Sequence, residues 1–466
     1  MRIKQKIEKS GYFWIPSAPD KKIPGVLCIS DGGNIDLEVV GLFDESIDGL
    51  NKTLNGKSSM ERIVGHVETY GLVTLDNCFY RKSNIPLGGI SKSLVCVNRA
   101  HLGVAYDENE PVLFNQFKFS LEGIDEWVGI SGIKVSNDFE AKSATITYEP
   151  PQDISIDLNN GMKLQITFNW TLPGFPVSKE AKITQKTFLK LVSEKDVPVD
   201  DFISTAYKIA TLMCFAIDET VCLERVSATS NSLVRNIGGG KTIPVPVEII
   251  YASLPFDEKE PKADWHRMLF RYGQIKNDAA RIINNWISAY ETIDPALNLY
   301  FSVRTGTHKY LDSKFLALAQ GLETLHRRTS TEKMMDQAEY QKLVDEIVSH
   351  CPSDHQSWLS GRLMHGNEIN LGRRLKGIVD PFKSYIGASK DRTKLIRSIV
   401  ETRNYLTHYD ESNVENVVKG PDLWPLCLKM EAIFQLHLLE TLGFTKDEID
   451  SVYKNSPDLQ RKLRET

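Results

Sequence analysis

The stretch from Lys394 to Asp410 reads KLIRSIVETRNYLTHYD and decides the fold class of the C-terminal half. Its apolar residues recur at helical spacing and form one stripe, the predicted core face: Ile396, Ile399, Val400 and Leu406. Asn404 and His408 are one helical turn apart and share a face, and the long side chain of Arg403 reaches the same edge. The stretch therefore predicts a helix that ends in a cation, an amide and an imidazole.

These three groups suit the cleavage of RNA by its own ribose 2′-hydroxyl. A histidine titrates near neutral pH and can accept the proton of that hydroxyl. A guanidinium offsets the charge that builds on the phosphorane oxygens, and an amide can orient the phosphate or the histidine. DNA lacks the 2′-hydroxyl, so the chemistry predicts RNA selectivity and a 2′,3′-cyclic phosphate product. No metal and no cofactor is expected.

The same residues also allow an interpretation without catalysis. In it, Arg403 pairs with a surface acid, and His408 stands near a helix C-terminus because the helix dipole favours a cation there. The short pattern leaves both interpretations open.

Around this stretch the chain is predicted to be helical from Asp264 almost to its end. The predicted helices are Trp265–Ala289, Ser313–Arg327, Lys333–Ser349, Trp358–Ile378 with a break at Gly366, Lys390–Thr407, Leu423–Leu442 and Thr445–Leu463. Thr445 and Glu448 form the capping-box pattern that opens a helix. Short connections favour an antiparallel bundle, and residues 261–466 are predicted to form an all-α domain.

The N-terminal part is predicted to be β-rich. Val26–Ser30 and Ile35–Val40 flank an Asp-Gly-Gly turn, and Met162–Trp170 alternates apolar and polar residues. A sandwich or barrel is expected over residues 1–260, with one helix at Asp200–Asp218. The glycine run 238–240 resembles a phosphate loop but lacks its first glycine and its helix, so it is interpreted as a flexible turn. The predicted class is α+β.

Composition favours a protein of the cytoplasm. The N-terminus has no apolar signal region, and the longest apolar run, Ile209–Ile217, is about half of the roughly 20 residues that a bilayer span needs. No membrane association is expected. The seven cysteines include no CxxC pair, which is typical of a reducing compartment. His350, Cys351 and His355 lack the further ligands of a zinc site and are interpreted as a loop.

Positive charge is concentrated near the decisive stretch. The chain carries a net charge of −5, yet residues 371–400 hold eight basic and two acidic side chains, which gives +6. Such a segment is typical of phosphate binding, although a solvated helix face has the same composition. The candidate RNA-binding residues are Lys390, Arg392, Lys394 and Arg397.

Several segments of the chain carry a resemblance to known families. The RNxxxH pattern at 403–408 resembles the HEPN family (higher eukaryotes and prokaryotes nucleotide-binding), and FLALAQGLETLHRR (315–328) is similar to that family's second major helix, which carries Glu323 as its acid. GYFWIP (11–16), the following Gly25–Leu27 strand and LEGIDEW (121–127) resemble the N-terminal domain of ApeA-type anti-phage defence proteins. That family joins such a domain to a HEPN domain.

The resemblance implies an antiviral defence effector with endoribonuclease activity that causes abortive infection. It implies a catalytic Arg403 and His408, Asn404 as their polar companion, and Glu323 as a supporting acid. It further implies a homodimer through the HEPN domain, and an N-terminal domain that responds to an infection signal such as a phage-derived protein. The alternative is a HEPN module that binds a nucleotide or a partner without cutting RNA.

Overall fold

The computed structural model describes residues 1–44, 59–84, 90–174, 179–409 and 416–464. The chain forms two compact units, Met1–Asn284 and Asn285–Thr466. The first is β-rich and the second is helical, which confirms the α+β class. No helix among the described residues is long and apolar enough to cross a bilayer.

The first six strands form a closed antiparallel barrel. They are β1 (Ile7–Trp14), β2 (Ile23–Ser30), β3 (Asn34–Val40), β4 (Ser59–Val67), β5 (Gly71–Asn84) and β6 (Lys92–Leu102). The strand order is β6-β3-β2-β1-β4-β5, and β5 pairs back with β6, which closes the sheet. The predicted hairpin is confirmed as β2 and β3, joined by the 3-10 turn Asp31–Gly33. Of the two predicted β architectures, the structure contains the barrel.

Close packing inside the barrel depends on a glycine. Phe13 on β1 is fully buried, and Gly65 lies on the neighbouring strand β4 as its direct cross-strand partner. A Cβ atom on Gly65 would lie 2.5 Å from the Phe13 ring. The glycine therefore makes room for the aromatic side chain that fills the interior.

The same sheet extends beyond the barrel through β6. The remaining strands are β7 (Leu113–Leu121), β8 (Ile133–Asp138), β9 (Ser143–Tyr148), β10 (Ile154–Asp157), β11 (Lys163–Thr171), β12 (Thr184–Pro198), β13 (Leu223–Thr229), β14 (Val234–Asn236), β15 (Thr242–Pro244) and β16 (Val247–Tyr251). The extension has the order β10-β11-β12-β7-β13-β16, and β16 pairs with β6. The glycine run 238–240 has positive φ angles and joins β14 to β15, which confirms it as a turn.

Within the described ranges, three helices accompany these strands: α1 (Ile124–Val128), α2 (Val199–Ile217) and α3 (Tyr272–Ile275). Helix α2 confirms the helix predicted at Asp200–Asp218 and packs on the extended sheet. Phe202 of α2 stacks on Phe117 of β7, with ring centres 5.7 Å apart. The apolar run Ile209–Ile217 is therefore a core helix of a folded domain.

The prediction of one long helix over Trp265–Ala289 is wrong. Residues 264–271 are not helical, and helix resumes only at α3 and at Ala279. Met268, Leu269 and Phe270 are nevertheless all buried. The Leu269 N–H donates to the Ala216 carbonyl, and the Trp127 indole donates to the Phe270 carbonyl. These bonds hold the segment in the β-rich unit; the domain boundary expected at 260/261 stays a prediction.

The helical unit contains the ten helices α4 (Ala279–Arg304), α5 (Leu311–Thr329), α6 (Gln337–Ser349), α7 (Ser353–Leu363), α8 (Leu371–Val379), α9 (Lys383–Ile386), α10 (Ser389–His408), α11 (Leu423–Thr441), α12 (Lys446–Asn455) and α13 (Pro457–Arg464) among the described residues. Helix α10 packs on α5 and α8, and α5 packs on α11. The predicted helix Thr445–Leu463 is two helices, because Pro457 lacks the N–H that continuation would need. The capping box at Thr445 and Glu448 is confirmed.

A buried carboxylate fastens the helical unit at its centre. Glu431 of α11 forms ion pairs with Arg304, Lys314 and Lys462, which come from α4, α5 and α13. Burial by itself raises the pKa of Glu431, but the three cations lower it to about 2. The carboxylate therefore stays ionised and holds four helices together.

Candidate active site

Helix α10 carries the candidate catalytic residues on its last turns. Its buried residues are Leu395, Ile399, Thr402 and Leu406. The predicted core face is therefore wrong in part, because Ile396 and Val400 are only half-buried. The helix ends at His408, and Tyr409 adopts a left-handed conformation with φ of 53°.

The chain returns to α10 after residues 410–415, which lie outside the described part. The Val418 N–H donates to the Thr402 hydroxyl at 2.9 Å. Asn416 donates to the Glu401 carboxylate from its backbone N–H and from its side chain. These bonds fix the end of α10 just before the candidate residues.

Three of the four candidate catalytic residues are in contact. Arg403 Nη1 donates to Asn404 Oδ1 at 3.0 Å. Arg403 Nη2 lies 3.6 Å from Glu323 Oε2, which belongs to α5. The guanidinium is thus held between an amide on its own helix and a carboxylate on the neighbouring one. The Arg403 side chain remains 36% exposed, so it is accessible to a substrate.

His408 lies one turn beyond Asn404 and is exposed. It makes no hydrogen bond or ion pair with the residues that the structure describes, so its imidazole is available to solvent and substrate. The Thr407 hydroxyl donates to the Arg403 carbonyl and closes the last turn between the two candidate residues.

Glu323 belongs to an ion-pair network that sequence reasoning missed. Its Oε1 accepts two hydrogen bonds from Arg327, at 3.1 and 3.0 Å. Arg327 also forms an ion pair with Glu368, and Lys333 and Arg374 form ion pairs with the same carboxylate. These cations, Lys333 first, lower the pKa of Glu368. The spacing of Glu323 and Arg327 along α5 could have indicated their pairing, but nothing local to Glu368 indicates its partners.

A second histidine, His326, is buried between α5 and α8. Its Nδ1 has no hydrogen-bond partner among the described residues, and a Cβ on Gly377 would lie 2.8 Å from its Nε2. Burial lowers the pKa of His326, and the nearby Arg374 lowers it further. His326 is therefore a neutral, packed side chain, unlike the exposed His408.

The basic segment is partly neutralised within the helical unit. Arg374 is buried against Glu368, Arg373 pairs with Glu332, and Arg392 pairs with Asp380. Five of its cations have no acidic partner among the described residues: Lys376, Lys383, Lys390, Lys394 and Arg397. Of the candidate RNA-binding residues, Lys390, Lys394 and Arg397 are thus exposed, while Arg392 is half-buried in an ion pair.

Two of the exposed cations border different openings. Arg397 borders a groove between α8 and α10, whereas Lys394 borders a separate cavity of about 810 Å³ together with Lys429. Among the residues in the described ranges, no three His, Cys, Asp or Glu side chains are arranged to hold a metal ion.

Two family models cover most of the chain. The model of ApeA N-terminal domain 1 matches residues 8–286, which is more than half of the chain. The model of the Apea-like HEPN domain matches residues 316–448. The chain is an ApeA-type protein with a C-terminal HEPN domain. No curated protein and no solved structure matches it.

The two ApeA-family domains follow the architecture described above. The match to the N-terminal domain spans the barrel and the extended sheet, and the HEPN match includes Glu323, Arg403, Asn404 and His408. This pair of domains supports a role in anti-phage defence, with the HEPN domain as the nuclease-type module.

Proposed function

We propose that this protein is an anti-phage effector whose helical unit is a metal-independent endoribonuclease. The observation that carries the proposal is the cluster at the end of α10. Arg403 contacts both Asn404 and Glu323, and the exposed His408 follows one turn later, all within the HEPN match. Each member supplies a group that cleavage by the 2′-hydroxyl needs.

In the proposed reaction, His408 accepts the proton of the ribose 2′-hydroxyl. The 2′-oxygen forms a bond to phosphorus, the bond from phosphorus to the 5′-oxygen breaks, and that oxygen takes up a proton. Arg403 offsets the charge on the phosphorane oxygens. The side-chain carbonyl oxygen of Asn404 accepts a hydrogen bond from Arg403, which leaves the amide N–H groups of Asn404 as donors to the phosphate. The products are a 2′,3′-cyclic phosphate and a 5′-hydroxyl.

The proposed substrate is cellular or phage RNA, and the proposed location of the activity is the cytoplasm. Loss of RNA would stop growth of the infected cell, as in abortive infection. The proposed enzyme is a homodimer through the HEPN domain. The proposed trigger is a phage-derived protein that contacts the β-rich unit. The hairpin of β8 and β9 supports such a contact: Val135 and Ile146 are cross-strand partners and both exposed, and Phe139 at its tip is 88% exposed.

The experiment that tests the proposal uses the purified chain and total RNA in EDTA, followed by end-group analysis. We expect cleavage that leaves cyclic phosphate, and a loss on the order of 100-fold or more in His408→Ala, the usual contribution of a positioned base. His355→Ala, an exposed histidine on α7, is the matched control and should cut like the wild type.

The same comparison is made on RNA from phage-infected cells that express each variant, so that an inactive resting state does not hide the activity. Equal cutting by His408→Ala would remove this residue from the mechanism. Cutting that EDTA abolishes and a divalent metal restores would contradict the proposed chemistry. An absence of cleavage under both conditions would favour a HEPN module that only binds.

A further inference from the structure

A groove of about 600 Å³ lies between α8 and α10. Gly372 and Lys376 of α8 line one side, and Ile396, Arg397 and Val400 of α10 line the other. Ile396 and Val400 are the two residues that helical spacing assigned to the core. They are half-buried because they form the floor of this groove.

The groove borders the face of α10 that carries the candidate active site. At about 100° per residue, Arg397 and Val400 lie within about 80° of Asn404 and His408 around the helix. Ile396 lies between this face and the buried stripe that includes Ile399 and Leu406. Arg397 and His408 are about 16 Å apart along the helix axis, which is the length of a few nucleotides.

A glycine keeps the groove open. Gly372 is the second residue of α8, in the turn that Asn370 caps. No close contact requires it, because a Cβ there would meet Asn370 Oδ1 at 3.5 Å and Val400 Cγ2 at 3.8 Å, both ordinary distances. The consequence of the glycine is therefore free space above Val400.

The rim of the groove offers positive charge. Lys376 and Arg397 are exposed and have no acidic partner within the described ranges. Both acids of the groove already have partners, since Asp380 accepts a hydrogen bond from Arg392 and Glu401 accepts one from Asn416. An apolar floor beneath two available cations complements a flat base joined to a phosphate.

We propose that this groove binds one unpaired nucleotide of the RNA substrate, a few nucleotides from the scissile phosphate. The base packs on Ile396 and Val400, and the backbone phosphate contacts Lys376 and Arg397. RNA as the ligand rests on the proposed function. A base in a duplex is not free to enter the groove, so the site requires a single-stranded segment.

The test measures binding of a fluorescent single-stranded RNA to the full chain carrying His408→Ala, which prevents cleavage. A series of oligonucleotides has one base at a time replaced by an abasic spacer. We expect one abasic position to weaken binding about tenfold, because the apolar contact of that base with Ile396 and Val400 is lost and burial of apolar surface contributes on that order. Adding Gly372→Leu, which fills the groove, should weaken binding of the intact RNA similarly and remove the sensitivity to that abasic position.

Gly361→Leu on α7 is the matched control, because a side chain there meets nothing within 4 Å. Lys376→Ala and Arg397→Ala should weaken binding at every sequence and reduce its salt dependence, whereas Lys342→Ala on α6 should not. Unfolding curves for each variant check that the fold is retained.

Three results would overturn the inference. In the first, the Gly372→Leu variant binds RNA as tightly as the Gly361→Leu variant. In the second, Gly372→Leu weakens binding, but the RNA with the sensitive abasic position still binds more weakly than the intact RNA. In the third, Gly372→Leu changes the mass of the assembly in sedimentation, which would make the groove a contact between copies of the chain. The binding assay does not depend on cleavage. If the wild type cuts no RNA but the abasic position and Gly372→Leu have the expected effects on binding, only the proposed nuclease activity is contradicted. If the wild type cuts RNA and these effects on binding are absent, only the proposed nucleotide site in the groove is contradicted.

Discussion

At the residue scale, Glu323 is the carboxylate that positions the candidate catalytic arginine. Its Oε1 accepts a hydrogen bond from Arg327, and its Oε2 lies 3.6 Å from Nη2 of Arg403. Because Arg327 is itself tied to Glu368, Glu323 has a fixed location on α5. The guanidinium of Arg403 is thereby oriented before any substrate binds.

Replacement of Glu323 should reduce turnover more than binding. We expect Glu323→Gln to lower kcat about tenfold with little change in KM, because it removes the carboxylate charge that faces the Arg403 guanidinium at 3.6 Å. Steady-state cleavage of a short RNA measures both constants. Glu339→Gln, an exposed position on α6, is the control. An unchanged kcat would mean that Arg403 is positioned without Glu323.

At the scale of elements, a buried histidine joins α11 to α8. The Nε2–H of His437 donates to the Ile378 carbonyl at 2.7 Å, and its ring meets the Phe382 ring edge-on. The pKa of His437 is lowered to about 4, mainly by burial; the bond to Ile378 opposes this shift, and the nearby His326 adds to it. At neutral pH the buried imidazole of this contact is therefore uncharged, because burial disfavours its protonated form.

The contact predicts a loss of stability in mild acid. The unfolded chain binds a proton at His437 near its ordinary pKa of 6.5, whereas the folded chain does so only near 4. The free energy of unfolding should then fall as the pH drops from 6.5 to 4, by up to about 3 kcal/mol. Hydrogen exchange of α8 and α11 peptides across this range measures the effect.

His437→Gln keeps a donor for the Ile378 carbonyl but cannot be protonated, so its pH dependence should be weaker. A residual slope is expected, because burial lowers the pKa of His326 as well. The exposed His355→Gln should retain the full slope. Equal slopes in all three proteins would contradict the assignment to His437.

At the scale of the whole molecule, the proposed homodimer can be tested by complementation. If one site takes its arginine from one copy and its histidine from the other, a mixture of Arg403→Ala and His408→Ala chains recovers a measurable fraction of the wild-type cleavage. Each variant alone should stay inactive. Mixed dimers that form in sedimentation but cut no RNA would show that each site is built from one chain.

The sequence by itself determined the local elements and the location of the candidate motif. Helix α10, the hairpin of β2 and β3, the capping box at Thr445 and the turn at Gly238–Gly240 all follow from hydrogen bonds and steric limits within a few residues. The placement of Asn404 and His408 on one helical face has the same local origin.

Only the tertiary structure decided which surfaces are covered and which charges are paired. Residues 268–270 read as helical, yet bonds to Ala216 and Trp127 hold them in the β-rich core. Ile396 and Val400 read as core, yet they form the floor of a groove, because α8 and the chain at 416–418 cover other parts of α10. Glu323 meets Arg403, and three of the eight clustered cations meet acids, through contacts between separate elements. Burial and ion pairing depend on neighbours that are distant along the chain, and no local pattern encodes them.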